Sequence, residues 1–235
     1  MDGLLTKATN FYFLLFNFYF YQMNSIDMIR KEFGSSRLSE ENAHKDAMQQ
    51  FDMWWKEALR SEIEDVNAMT LATASADGLP SARIVLLKGY HVKGFHFFTN
   101  YKSFKGQQLE ENPRACLVFF WKVLERQVRI TGLVEKLSEK DSDAYFKTRP
   151  AGSRIGAWVS PQSEVIESGQ WLTDKAAALE EKYGNSEIPR PPHWGGYLVR
   201  PVTIEFWQGR PNRLHDRLLY TVQDDGKWVV ERLAP

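Results

Sequence analysis

The sequence predicts a mainly β (α+β) fold, an antiparallel β-barrel with helices set between and around its strands. Three observations carry this. Short apolar runs rich in β-branched and aromatic residues recur along the chain, some joined by Asp-Gly turn signals. Amphipathic helical patterns stand between these runs, which favours hairpin-linked strands with helical additions. The chain also holds 8 Trp, 9 Tyr and 15 Phe, side chains that favour strands and bury large areas. Its 235 residues fit one domain, since β-barrel domains run to about 200–250 residues.

The elements follow in order. Ser39, with Glu40 and Glu41 behind it, reads as a helix start, a side-chain cap with acids in the first turn. Ala47, Met48, Phe51, Trp55, Ala58 and Leu59 recur at helical spacing, carrying that helix to about Arg60. Met69 to Ala74 and Ala82 to Leu87 read as strands around the Asp77-Gly78 turn, and Phe95 to Thr99 as a third. Tyr101 to Asn112 suits a helix ended by Pro113. Ala115 to Trp121 and Gln127 to Val134 are two further strands, and Ser138 with Asp141 caps a helix that Pro150 closes. Trp171 to Tyr183 reads as a helix with Gly184 at its C-cap, and a proline-rich link, Ile188 to Pro192, follows. Gly196 to Trp207, Arg213 to Val222 and Trp228 to Leu233 complete the strands, the last two joined by Asp225-Gly226.

Composition excludes several function classes. Thirty basic and thirty acidic residues cancel, so no global field favours nucleic acid or an anionic membrane, and any bound anion needs a local cluster of cations. A single cysteine, Cys116, excludes an internal disulfide framework and a Cys-based zinc site, and fits a reducing, cytoplasmic compartment. It lies in an apolar run read as a buried strand, where a thiol stays protonated and inert. No metal-ligand motif is read, and there is no Walker-type glycine loop, G-x-S-x-G or HExxH, so the usual hydrolase and NTPase readings lose support.

The N-terminal tail differs from the rest. Phe11 to Tyr21 reads FYFLLFNFYFY, too short for the roughly 20 residues that span a bilayer. It has the length of a signal h-region, yet no small-residue cleavage site follows. Residues 1–27 are therefore read as a non-core extension, disordered or packed on a neighbour, with a working domain over 28–235 and no membrane association expected.

Two sets of cations draw attention by their spacing. Arg213, His215 and Arg217 alternate, so on a strand they share one face, where an anion or an acid must answer them. Tyr145 and Arg149 lie four apart on the capped helix with Ser153 just past its end, a phenol, a guanidinium and a hydroxyl suited to a phosphate. Arg83 and Lys88 face opposite sides by strand parity unless the strand stops before Lys88, and Gln127 and Arg129 share a face. Spacing alone leaves a solvated strand face and an ordinary helix end equally open.

A run of motifs changes that balance: RIVLLKG (Arg83 to Gly89), FFTN (Phe97 to Asn100), ERQVR (Glu125 to Arg129), YFKTRP (Tyr145 to Pro150), IGAWVSPQS (Ile155 to Ser163), WGGY (Trp194 to Tyr197), EFWQG (Glu205 to Gly209), NRLHDR (Asn212 to Arg217) and a closing ERLAP. In this order, over Met28 to Pro235, they resemble the pyridoxine (pyridoxamine) 5′-phosphate oxidase family. The resemblance implies an FMN-binding split barrel working as a homodimer, with FMN in clefts at the subunit interface. It carries FMN contacts onto Arg83, Ile84, Val85, Leu86, Leu87, Lys88, Phe98, Thr99, Lys105, Gln127, Gln162, Ser163, Trp207 and Arg217. Substrate contacts fall on Arg30, Lys88, Tyr145, Arg149 and Ser153, and on Arg213 and His215 beside the pyridine ring, the pair nearest the reacting carbon.

The chemistry implied is oxidation of pyridoxamine 5′-phosphate and pyridoxine 5′-phosphate to pyridoxal 5′-phosphate, with O₂ as acceptor and hydrogen peroxide released. Alternatives are another split-barrel flavin oxidoreductase, such as a flavin reductase, and a non-catalytic protein that binds FMN or pyridoxal phosphate. The chain departs from the family pattern twice. Ser103-Phe104-Lys105 stands where the family usually has Ser-Arg-Lys against the FMN phosphate, and Phe33 replaces a tyrosine common near the N-terminal substrate contact.

Overall fold

The computed structural model describes residues 33–34, 36–184 and 186–235. The chain divides into Met1–Gly34 and Ser35–Pro235, and the architecture below is that of the second unit. The aromatic tail Phe11 to Tyr21, Arg30 and the proposed start at 28 lie outside the described residues.

Five α-helices accompany one nine-stranded sheet among the described residues. The strands are β1 (Ala68–Ala74), β2 (Pro80–Leu86), β3 (Gly89–His91), β4 (Gly94–Asn100), β5 (Arg114–Trp121), β6 (Arg126–Lys136), β7 (Trp194–Gln208), β8 (Asp216–Val222) and β9 (Trp228–Arg232). The helices are α1 (Ala47–Arg60), α2 (Phe104–Glu111), α3 (Glu139–Thr148), α4 (Ala151–Val159) and α5 (Gly169–Tyr183). The order along the sheet is β2-β1-β5-β6-β7-β4-β3, with β8 on β7 and β9 on β8, every pair antiparallel. At fifteen residues β7 is long enough to pair with β4 through its first half and β8 through its second, while β6 runs along both. The curled antiparallel sheet is the one the strand pattern predicts.

The core forms where α1 lies across the sheet. Ala47, Met48, Phe51, Trp54 and Ala58 recur every three or four residues and are buried. Phe51 meets Phe95 and Phe119 at 4.8 and 5.5 Å between ring centres, and Trp54 meets Phe206 edge-on at 5.2 Å. Burial stabilises each such side chain by roughly 1.5–3 kcal/mol, so this face, not helix propensity, holds α1 in place. Ile155, Val159 and Ile188 make a small second cluster joining α4 and α5. No helix among the described residues is long and apolar enough to cross a membrane.

Three sequence expectations need correction. The helix expected behind Ser39 starts at Ala47: Asp46 accepts from the N–H groups of both Met48 and Gln49 at 2.9 Å, a fuller cap, and residues 40–43 form a turn and bend. Pro150 ends α3 but also opens α4, so Ser153 lies in the first turn of a helix and not past the end of one. The strand expected from Arg213 begins at Asp216, because Asn212 and Arg213 take left-handed backbone angles (φ +55° and +61°) in a 3₁₀ turn. Arg213, His215 and Arg217 therefore do not alternate along one strand.

Cys116 is also placed differently. The buried face of β5 carries Ala115, Leu117, Phe119 and Trp121, and Cys116 sits half-buried on the other face with Val118 and the exposed Phe120. Burial still pushes its thiol above the usual range. Native protein at pH 7 is expected to react slowly with a thiol reagent and to keep its activity, with fast labelling only after denaturation; fast native labelling with loss of activity would contradict this.

Candidate active site

A cleft of about 960 Å³ opens between the edge strand β2, the end of β4, and helices α2, α3 and α4. The hairpin and glycine pattern shapes it. Strand β2 ends at Leu86, so parity no longer separates Arg83 from Lys88 and both line the cleft. A Cβ on Gly196 would stand 2.7 Å from the Phe98 ring, so the missing side chain lets Phe98 lie flat against β7. Tyr145 stacks on Phe98 at 3.9 Å between ring centres, and Trp194 lies nearly parallel to both. Together they form a flat aromatic wall.

The cations are set into this cleft by separate devices. Arg83 donates from Nη1 to the Leu71 carbonyl and Thr73 Oγ1 and from Nη2 to Ser81 Oγ. Lys105, in the first turn of α2, is buried; its ammonium donates to Thr99 Oγ1, Ser103 Oγ and Gln162 Oε1 at 3.2–3.4 Å. Arg149 is forced out of α3 because a residue before proline avoids helical angles, and it takes φ −74°, ψ 145°. Its guanidinium lies 4.5 Å over Trp194, with Nη1 buried and without a partner. Among the described residues no carboxylate pairs with Arg83, Lys105 or Arg149. Burial lowers the proton affinity of all three, and the Arg83 charge adds to the effect on Lys105. Desolvated cations held by neutral oxygens leave a positive site for an anion.

The cleft brings together Arg83, Ile84, Val85, Leu86, Lys88, Phe98, Thr99, Lys105, Tyr145, Arg149, Ser153, Gln162 and Ser163. Leu87 is near but turns its side chain into the core. Gln127, Trp207, Arg213, His215 and Arg217 lie elsewhere on the chain and form a second group. Gln127 pairs across the sheet with Trp207, and Trp207 with Arg217. The His215 ring sits 4.6 Å from that of Trp207, and Arg213 is exposed on the adjoining turn. Arg217 is answered by a carboxylate, since its Nε meets the buried Glu205 at 2.9 Å, and Arg129 meets the same acid. His215 Nδ1 accepts the Arg210 N–H at 3.1 Å, which puts the neutral ring's proton on Nε2. Burial and Arg213 lower its proton affinity.

Sequence reasoning assigned no role to Trp194, although its WGGY motif was noted. Its position under Arg149 was hidden because the two residues are 45 apart in sequence and meet only through the fold.

The curled antiparallel sheet with this side cleft defines the FMN-binding split-barrel class. A pyridoxamine 5′-phosphate oxidase-related, FMN binding protein from Nostoc punctiforme shares the fold at 19% identity and a TM-score of 0.64, covering 81% of this chain and 98% of that one. PhzG from Burkholderia lata, solved in complex with tetrahydrophenazine-1-carboxylic acid, matches with a TM-score of 0.81 at 28% identity, over 86% of this chain and 99% of that one. Residues 55–183 match the family model described as pyridoxamine 5′-phosphate oxidase, and residues 194–235 that of the pyridoxine 5′-phosphate oxidase C-terminal dimerisation region. Pyridoxine/pyridoxamine 5′-phosphate oxidases from Nostoc punctiforme and Salinibacter ruber are 57% and 54% identical, over 88% and 91% of this chain and 97% and 100% of theirs. The chain belongs to the pyridoxamine 5′-phosphate oxidase family of oxidoreductases, whose cofactor is FMN.

The residues present fit that cofactor. FMN ends in a dianionic phosphate, which suits the carboxylate-free pair of half-buried Arg83 and buried Lys105 with Thr99 and Gln162 beside them. Exposed Ile84 and Leu86 offer an apolar surface to a flat ring. Phe104 is half-exposed on the cleft wall next to Lys105. Phe104→Arg adds a cation there and is expected to tighten FMN binding by roughly ten- to 150-fold, the worth of one charge-assisted bond. Titration of apoprotein with FMN at matched salt tests this, and unchanged affinity in a folded variant would show that another group already serves the phosphate.

Proposed function

We propose that this protein oxidises pyridoxamine 5′-phosphate and pyridoxine 5′-phosphate to pyridoxal 5′-phosphate, with O₂ as electron acceptor and hydrogen peroxide as by-product. The observation that carries the reading is two sets of desolvated cations in one cleft, Arg83 with Lys105 and, apart from them, Arg149 beside Tyr145. One set suits the cofactor phosphate and the other a substrate phosphate. A split-barrel flavin reductase has no need of the second set, so the phosphorylated substrate is favoured.

Bound FMN supplies the two-electron acceptor. The chain supplies position and field. Arg149 anchors the substrate phosphate, helped by Tyr145, Ser153 and Lys88, and this remote binding energy is spent on placing the reacting carbon. The aromatic wall of Phe98, Tyr145 and Trp194 limits how the ligands can lie. Arg213 holds the pyridine ring and polarises the reacting centre, and its left-handed backbone is the kind of strain that functional turns retain. His215 contacts the ring or its substituents. Neither is assigned as an obligatory general base.

The active unit on this reading is a homodimer in which Gln127, Trp207, Arg213, His215 and Arg217 of one protomer complete the cleft of its partner. The match to a dimerisation region over 194–235 supports this, as do Phe120 and Leu133, apolar side chains outside the cleft left exposed on the single chain. Residues 28–235 form the oxidase domain and include Arg30 as a further substrate contact, residues 1–27 are an extension, and the enzyme works in the cytoplasm.

Purified yellow protein is expected to consume O₂ and release peroxide when given pyridoxamine 5′-phosphate. Flavin reduction by a nicotinamide alone would favour a flavin reductase, and binding without turnover a carrier. Arg149→Ala removes a charge-assisted bond worth roughly 1.5–3 kcal/mol and is expected mainly to raise KM. Arg213→Ala is expected mainly to lower kcat. The reverse pattern at equal FMN content would exchange their roles.

A further inference from the structure

The β3–β4 hairpin holds a feature that the flavin site does not use. His91 and His96 stand five apart in sequence and hydrogen-bond to each other, Nε2 to Nε2, at 3.0 Å, with ring centres at 4.6 Å. The hairpin register explains why they meet. Gly89 lies opposite His96, and Gly94 opposite His91. Residues sharing parity on paired strands project to one face, and each histidine faces a glycine, so no directly opposite side chain comes between the two rings. A Cβ on Gly94 would stand 2.0 Å from the Val199 carbonyl oxygen. The turn is thereby pinned against β7, and the pair is held on a rigid frame.

We propose that His91 and His96 form a bis-imidazole site for a borderline divalent cation, best suited to Cu²⁺ or Ni²⁺. Metal–imidazole bonds of about 2.0–2.1 Å put two nitrogens about 2.9 Å apart at a right angle and about 3.3 Å at the tetrahedral angle. The hydrogen-bonded nitrogens already stand 3.0 Å apart, so an ion that replaces the shared proton reaches the right-angled arrangement of tetragonal ions with little movement of the rings, and imidazole ligands favour Cu²⁺ above Ni²⁺ and Zn²⁺. Among the described residues no three His, Cys, Asp or Glu side chains cluster as ligands, so water fills the remaining positions. His91 Nδ1 accepts the Lys93 N–H at 3.0 Å, which places the free ring's proton on Nε2. Binding moves that proton to Nδ1 and turns the Lys93 N–H, on an exposed hairpin tip, to water. His91 is exposed, so its ring is free to adjust, whereas half-buried His96 is fixed.

The test titrates CuCl₂ and NiCl₂ into FMN-loaded protein by calorimetry, with MgCl₂ as control, and records the Cu²⁺ EPR spectrum. One ion per chain is expected, with nitrogen hyperfine structure from two imidazoles and no response to Mg²⁺. His91→Ala and His96→Gln are each expected to weaken Cu²⁺ by about 10–100-fold or more; metal-free melting temperatures check that both are folded. Affinity unchanged in folded His91→Ala, or a spectrum without two imidazole nitrogens, would overturn the site.

Discussion

Positive charge taken out of water and left without a carboxylate is the constraint around which the cleft is organised. Several cations elsewhere among the described residues are paired: mostly buried Arg126 meets Glu57, mostly buried Arg190 meets Asp143, and Arg129 and Arg217 share Glu205. Arg83, Lys105 and Arg149 receive only neutral oxygens or an aromatic face. Lys105 is buried and the two arginines are half-buried, so solvation is lost most at the ammonium, where an unpaired buried ion costs on the order of several kcal/mol. Anions that bind there recover that cost, which is why the cleft suits phosphates on both the cofactor and the proposed substrate.

The fold places these cations by rules that operate far from any ligand. Pro150 expels Arg149 from α3 onto Trp194. Gly196 lets Phe98 lie flat so that Tyr145 can stack on it. Ser103 caps α2 and thereby fixes Lys105 in its first turn, where Thr99 and Gln162 close around the ammonium. The core beneath, with α1 wedged on Phe95, Phe119 and Phe206, keeps β4 and β7 at the spacing these contacts need.

Much of this was legible from residues. Strand alternation and Asp-Gly turns located the sheet, and four-residue spacing joined Tyr145 to Arg149. What failed did so for physical reasons. Period-two reasoning runs a strand through Arg213 because it passes over the turn signal of Pro211-Asn212, and nothing in an arginine marks the second left-handed angle. Pro150 reads as a stop, although proline is equally at home where a helix begins. His91 and His96 passed unnoticed because their meeting depends on hairpin register and on two opposed glycines. The separation of Gln127, Trp207 and Arg217 from the cleft was invisible in a motif list, which has no geometry.

That separation leads to the proposal that each working site is shared between two protomers, and mixing two damaged chains tests it most directly. Arg149→Ala spoils the cleft half and Arg213→Ala the other, so each homodimer carries two defective sites. After unfolding and refolding together at equal amounts, about half the dimers are mixed, each with one intact site, and activity assayed at substrate well below the wild-type KM, where both variants are defective, recovers to about a quarter of wild type. Activity no greater than the average of the two separate variants, with mixed dimers demonstrated by a size tag, would show that both halves act within one chain.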